Sequence, residues 1–284
     1  MERIGVVGCG LMGSGIAEIA ARSGADVVVV ERDPAALELG QARIERSLTR
    51  AVTAGKLSEE ESEQVRSRLI FDHDLSSLAE REMVIEAVAE DEAIKLAVFK
   101  QLDSIVTDRN AILATNTSSI PIIKLAMATS RPEQVIGMHF FNPVPVLRLV
   151  ELISSLLTSA ETTQRVHEYA SGPLNKQVIT SKDRAGFVVN ALLIPYLLSA
   201  IRMLESGFAS AEDIDTGMVL GCAHPLGPLA LTDLIGLDTT LAVADSLYAE
   251  FKESHLAPPP LLSRMTQAGL LGRKTGQGFY SYKS

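Results

Sequence analysis

Short β-branched runs alternate with longer amphipathic stretches along the first part of the chain. Arg3–Val7, Asp26–Val30, Met83–Glu86, Ala111–Ala114 and Val135–Met138 are rich in Val and Ile and end at glycine or polar turns. Runs that are apolar without alternation are buried on both faces, as in a parallel sheet. Between them, Met12–Ser23, Pro34 to about Ala54, Ser58–Arg68 and Asp91–Thr107 carry helical spacing. Asp33 followed by Pro34 makes an N-cap and a first-turn proline, and Ser58 with Glu61 makes a capping box. Strand alternating with helix predicts an α/β Rossmann-type doubly wound sheet.

The stretch Pro34–Arg68 is too long for a plain crossover and predicts a helical pair, an arm projecting from the sheet. It carries Arg43, Arg46, Arg50, Lys56, Arg66 and Arg68, which on composition alone read equally as a solvated helix surface. Past Asp183 the strand signal stops. Phe187–Glu205, Ser210–Leu220, Leu229–Ile235, Asp238–Phe251 and Pro259–Ala268 all predict helices. The expected organisation is a sheet domain over 1–182 and a second, all-α domain over 183–284.

Composition narrows the function classes. The chain has 284 residues, enough for one large domain or two ordinary ones. It has no apolar run of membrane-spanning length and enters a strand after Met1, Glu2 and Arg3, so neither a membrane span nor a secretory signal is expected. Cys9 and Cys222 have no C-x-x-C partners and are expected to be reduced packing residues in a cytoplasmic protein. A formal charge of −9 argues against nucleic acid as a partner and requires a local basic patch for any anionic ligand. No His/Cys/Asp/Glu cluster has ligand spacing, so no metal is expected.

The first chemical signal is Gly8-Cys9-Gly10-Leu11-Met12-Gly13, directly after the first strand and opening the first helix. Gly8 permits the turn, Gly10 lets backbone approach a pyrophosphate, and Gly13 lets helix pack on strand. The amides at Leu11, Met12 and Gly13 then face the phosphates. The second strand ends at Glu31, placed to accept the adenosine ribose hydroxyls and disfavour a 2′-phosphate. NAD is therefore the expected cofactor, with NADP left open by Arg32 next door.

Three further stretches lie at strand ends or open the helical region. They are Asn116-Thr117-Ser118-Ser119, His139-Phe140-Phe141-Asn142-Pro143, and Asp183-Arg184-Ala185-Gly186-Phe187-Val188-Val189-Asn190. With the glycine loop, Glu151, Gly227-Pro228 and Lys274-Thr275-Gly276-Gln277-Gly278-Phe279-Tyr280, they make the chain resemble the 3-hydroxyacyl-CoA dehydrogenase family over essentially its whole length. It is most similar in size to the single-function bacterial members. The resemblance implies a catalytic His139 with its partner Glu151, and substrate-binding roles for Ser118 and Asn190. It carries cofactor contacts to Glu31, Glu86, Lys95, Ser118, Asn142 and Lys274. It also implies a homodimer formed by the helical domain and an arm that contacts CoA, with Ser47 and Lys56 the best matches. Asp183-Arg184 departs from the family's usual Asp-Thr-Pro turn, with no expected effect on chemistry.

Oxidising a secondary alcohol removes a hydride from carbon and a proton from oxygen, and histidine is suited to the proton. A histidine beside two phenylalanines is as readily a packed core residue. The carboxyl end of a parallel strand, where open α/β sheets bind ligands, favours the base. Glu151 lies in an apolar run, where a carboxylate needs a partner, and a returning strand would bring it to His139. His73, His167, His224 and His255 lack such a pattern. The expected reaction interconverts short 3-hydroxyacyl-CoA and 3-oxoacyl-CoA, such as 3-hydroxybutyryl-CoA and acetoacetyl-CoA. Competing expectations are a dehydrogenase of a free hydroxy acid, of sugar-acid or carnitine type, and a non-enzymatic nucleotide-binding protein.

Overall fold

The computed structural model describes residues 1–282. Its contacts divide the chain into two units, Met1–Asp183 and Arg184–Ser284. The first is built on an eight-stranded sheet. In chain order the strands are β1 (Arg3–Val7), β2 (Asp26–Val30), β3 (Leu69–Asp72), β4 (Met83–Glu86), β5 (Ile112–Thr115), β6 (Val135–Phe140), β7 (Leu149–Ser154) and β8 (Gln177–Lys182). Their order across the sheet is β3-β2-β1-β4-β5-β6-β7-β8, parallel except where β7 returns antiparallel to β6.

The five strands expected from the hydrophobic runs form the middle of this sheet, and β1, β4, β5 and β6 are almost wholly buried. Of the others, β7 is the return strand expected around Glu151, and the two edge strands gave weaker signals for a physical reason. At the edges, β3 and β8 have one face and one ladder open, and no residue of either is fully buried. Helix α1 (Leu11–Arg22) buries nine consecutive residues, Gly13–Ala21, under the crossover helix α2 (Pro34–Thr53) and α3 (Glu59–Ser67). Asp33 caps α2 through the Ala35 amide, and the capping box of Ser58 and Glu61 opens α3. The arm is thus a helical pair whose inner face, Leu37, Ile44, Leu48 and Val65, belongs to the core, while the turn at residues 53–56 is exposed. Completing the unit are α4 (Glu92–Ile105), α5 (Ile122–Ala126) and α6 (Ala160–Ser171), the last two absent from the sequence expectation.

The second unit is all-helical among its described residues apart from isolated bridges: α7 (Val189–Glu205), α8 (Ala211–Cys222), α9 (Pro228–Ile235), α10 (Leu237–Phe251) and α11 (Pro260–Gln267). Leu197, Leu198, Ile201, Leu229, Leu237 and Ala244 form its centre at no exposure. Asp215 caps α9 by accepting the Leu229 and Ala230 amides. Asp233 accepts the Phe279 and Tyr280 amides and the Tyr282 hydroxyl, which pins the C-terminal Gly-Phe-Tyr stretch to α9. No described helix is long and apolar enough to cross a membrane.

Candidate active site

The loop between β1 and α1 is shaped by what its glycines exclude. Gly8 has φ of 95°, and a Cβ there would lie 2.6 Å from the Ala87 carbonyl oxygen. A Cβ on Gly13 would overlap the Gly8 carbonyl oxygen, so only glycine lets α1 start this close to the strand. The space before Gly10 is open, with nothing within 4 Å of an added Cβ. The first intrahelical bond runs from the Ser14 amide to the Gly10 carbonyl, which leaves the Leu11, Met12 and Gly13 amides at the positive end of the helix. Glu31 caps the loop from β2, its Oε2 accepting the Cys9 amide at 3.0 Å and its Oε1 the Asp33 amide at 3.3 Å. These residues fit a dinucleotide: an uncrowded amide cradle for a pyrophosphate and a carboxylate at the end of the neighbouring strand.

Two strands along, the carboxyl edge carries a buried ion network. Lys95 reaches from α4 to Glu86 Oε1 at 2.6 Å, and Glu86 Oε2 accepts the Thr115 hydroxyl at 2.7 Å. Glu90 lies 3.4 Å from the same ammonium. It accepts the Thr117 hydroxyl at 2.6 Å and the Ser118 and Ser119 amides at 2.7 and 3.0 Å. Burial pushes the Glu90 carboxyl up, but Lys95 and these donors outweigh it and hold the group below the ordinary glutamate value. Glu86 and Lys95 are 0% and 1% exposed, a fully buried ion pair. The resemblance cast both as cofactor contacts. In the structure the pair also anchors the Ala87–Glu90 and Asn116–Ser119 loops at the carboxyl edge, each charge meeting its partner. Glu90, Thr115 and Asn116, whose Oδ1 accepts the Phe140 amide at 2.9 Å, were missed. Asn116 lies in the Asn-Thr-Ser-Ser stretch without being singled out there, and the only sequence signal of Glu90 and Thr115 is a place near a strand's carboxyl end.

The antiparallel return of β7 brings His139 and Glu151 directly opposite each other. His139 Nδ1 lies 2.7 Å from Glu151 Oε2 in a buried pair, the glutamate at 0% exposure and the histidine at 5%. Cross-strand neighbours on one sheet face stand close enough to meet without any loop contribution, so the sheet itself fixes this geometry. The Phe141 ring lies against the imidazole with centroids 4.7 Å apart. Ser118 is half-buried in the loop held by Glu90, and Asn142 is exposed just beyond β6. In the second unit, Asn190 sits half-buried in the first turn of α7, after Gly186 and Phe187 at positive φ. Lys274 there is ion-paired with Asp238 Oδ1 and Oδ2 at 2.5 and 2.6 Å.

A further cleft of about 120 Å³ runs beside the arm, lined by Arg43, Arg46, Ser47 and Arg50 of α2, by Glu18 of α1 and by Asn142. Ser47, one of the two residues matched to the CoA arm, lies in it. Lys56, the other, is exposed in the turn after α2 and does not line it. Arg43 donates to the Cys9 carbonyl at 3.3 Å, so this basic cleft begins at the nucleotide loop.

A Rossmann-type sheet with a glycine loop, a carboxylate at the end of the neighbouring strand and a buried histidine–glutamate pair at the carboxyl edge defines a nucleotide-dependent dehydrogenase. Residues 3–184 match the 3-hydroxyacyl-CoA dehydrogenase NAD binding domain and residues 186–282 match the C-terminal domain of the same family. The chain belongs to the 3-hydroxyacyl-CoA dehydrogenase family, and its first unit is an NAD-binding domain. It is 56% identical over 282 residues to a 3-hydroxybutyryl-CoA dehydrogenase of Mycobacterium tuberculosis, with 99% of each chain covered. It is 44% identical over 280 residues to the enzyme of that name from Clostridioides difficile, again with 99% of each covered. The solved structure of the Ralstonia eutropha (S)-3-hydroxybutyryl-CoA dehydrogenase superposes with a TM-score of 0.94 at 48% identity, covering 99% of both chains.

Proposed function

We propose that the chain interconverts a short 3-hydroxyacyl-CoA and its 3-oxoacyl-CoA with NAD, 3-hydroxybutyryl-CoA and acetoacetyl-CoA being the pair, and that His139 is the acid–base group. The observation that carries the reading is the 2.7 Å pairing of His139 Nδ1 with Glu151 Oε2 at the carboxyl edge of an NAD-binding sheet. Glu151 accepts the Nδ1 proton, so the neutral ring is held in the tautomer that leaves Nε2 unprotonated and able to accept a proton. In oxidation, Nε2 takes the proton of the 3-hydroxyl; in reduction, it returns that proton to the carbonyl oxygen. Bound NAD supplies the hydride acceptor, or NADH the donor. The positive charge that develops on the ring is met by a carboxylate already buried beside it, and nothing has to reorganise as the proton moves. Ser118, on a loop fixed by Glu90, and Asn190, opening α7, supply neutral donors to the substrate oxygens.

The substrate class rests on the arm as well. Arg43, Arg46 and Arg50 put three guanidinium groups around one cleft of a protein with net charge −9, as a CoA nucleotide end requires and a small hydroxy acid does not. Their removal should affect only substrates long enough to reach them. A homodimer through the second unit accords with its exposed Leu192, Phe208 and Leu220, each more than 70% accessible. The free Cys9 and Cys222 accord with a reducing compartment such as the cytoplasm. The decisive experiment follows loss of NADH absorbance with acetoacetyl-CoA, with acetoacetate and with other free oxo acids. Turnover confined to the thioester upholds the proposal. Equal or faster turnover of a free acid overturns the substrate, and none with any of them overturns the activity.

A further inference from the structure

Lys176, immediately before β8, is a buried lysine without a carboxylate partner among the described residues. Its ammonium donates to the Val144 and Leu147 carbonyl oxygens at 2.5 and 2.6 Å, and the residue is only 8% exposed. Burial pushes it below the ordinary lysine value, with no acidic group offsetting that push. Two carbonyls use two of its three protons. Beside it opens a cavity of about 280 Å³, lined also by Arg22, Ser23, Arg148 and the 173–175 turn, and by no carboxylate.

Arg22 adds a second cation to the cavity lining. One edge of its guanidinium pairs with Glu18 at 2.5 Å, but its buried Nε has no hydrogen-bond partner. A buried donor left without an acceptor costs about 1–3 kcal/mol, so native structures rarely leave one without a use. Arg148 contributes a third cation from the exposed rim. Three cations against the single Glu18 carboxylate behind Arg22 leave this cavity about two charges positive.

We propose that the cavity binds a phosphate-type oxyanion, free or as a phosphomonoester, held by the Lys176 ammonium and the Arg22 and Arg148 guanidinium groups that line it. The site is separate from the nucleotide loop, because α1 carries Arg22 about 16 Å along its axis from Leu11 at 1.5 Å per residue. It is also separate from the arm cleft, which Arg22, Arg148 and Lys176 do not line. An anion here ties the 141–148 loop, already held by Lys176, to the end of α1.

Calorimetric titration of the full chain tests this, with NADH and coenzyme A saturating so that their phosphate subsites are filled. In oxyanion-free buffer, inorganic phosphate should bind at one further site per chain. Lys176→Met should abolish that binding, and Arg148→Gln, a change on an exposed side chain, should weaken it at least tenfold. Glycerol 3-phosphate in a parallel titration identifies the ligand: tighter binding than phosphate marks an ester, weaker binding marks the free ion. Absence of a phosphate isotherm in the wild-type chain overturns the site. So does unchanged affinity in Arg148→Gln, a comparison that stands even if Lys176→Met fails to fold.

Discussion

Glu151→Gln separates the electrostatic role of the histidine's partner from its steric one. The amide has nearly the volume of the carboxylate and its oxygen can still accept the Nδ1 proton 2.7 Å away, so packing and tautomer are retained. What disappears is the attraction between a full negative charge and the imidazolium that forms when His139 takes the substrate proton. With charge centres about 4 Å apart and an effective dielectric of about 20, that attraction is worth ~4 kcal/mol. Each 1.36 kcal/mol is tenfold in rate, so kcat for 3-hydroxybutyryl-CoA oxidation should fall about 10³-fold. KM for NAD should stay within about twofold, since the pair lies in β6 and β7, away from the glycine loop after β1. The assay is steady-state NADH formation, with circular dichroism melts to confirm that the fold is kept. A variant with more than a third of wild-type kcat would refute the electrostatic account. A loss confined to KM for NAD would move Glu151 out of the chemistry.

Three other outcomes are expected. Glu31→Ser removes a carboxylate repelling a 2′-phosphate by about 1–3 kcal/mol, so kcat/KM for NADPH relative to NADH should rise about 5- to 150-fold; an unchanged ratio would assign the choice to Arg32. Lys95→Met strands the fully buried Glu86 carboxylate and should cost about 3–5 kcal/mol in urea unfolding; a stable variant with weakened NADH binding would instead restore Lys95 as a direct cofactor contact. Arg50→Ala should raise KM for acetoacetyl-CoA several-fold with kcat held and leave a truncated thioester unaffected, while Lys56→Ala changes neither; the reverse pattern would put the phosphates at the exposed turn.

Local chemistry made much of the molecule readable from its residues. The β-branched runs of β1, β2, β4, β5 and β6 are apolar throughout because both sheet faces are covered, and a central parallel strand has no other way to be buried. The caps at Asp33 and Ser58 and the glycine loop are likewise local, since a turn or a helix start is decided within a few residues. His139 and Glu151 are paired through the family resemblance, and the carboxylate's place in an apolar run allows a return strand to bring it there. Other features depend on contacts between distant segments. The edge strands β3 and β8 owe their conformation to one neighbour each, so their own residues carry little pattern. That Glu86 and Lys95 are enclosed as a pair could not be read from their sequence neighbours, because burial is a property of the surroundings and not of the residue. The oxyanion cavity at Arg22, Arg148 and Lys176 has no sequence signature at all, since it joins the end of α1, the β6–β7 loop and the residue before β8. Side-chain type sets what each group can do; only the packing of remote segments decides which groups face water, a ligand or each other.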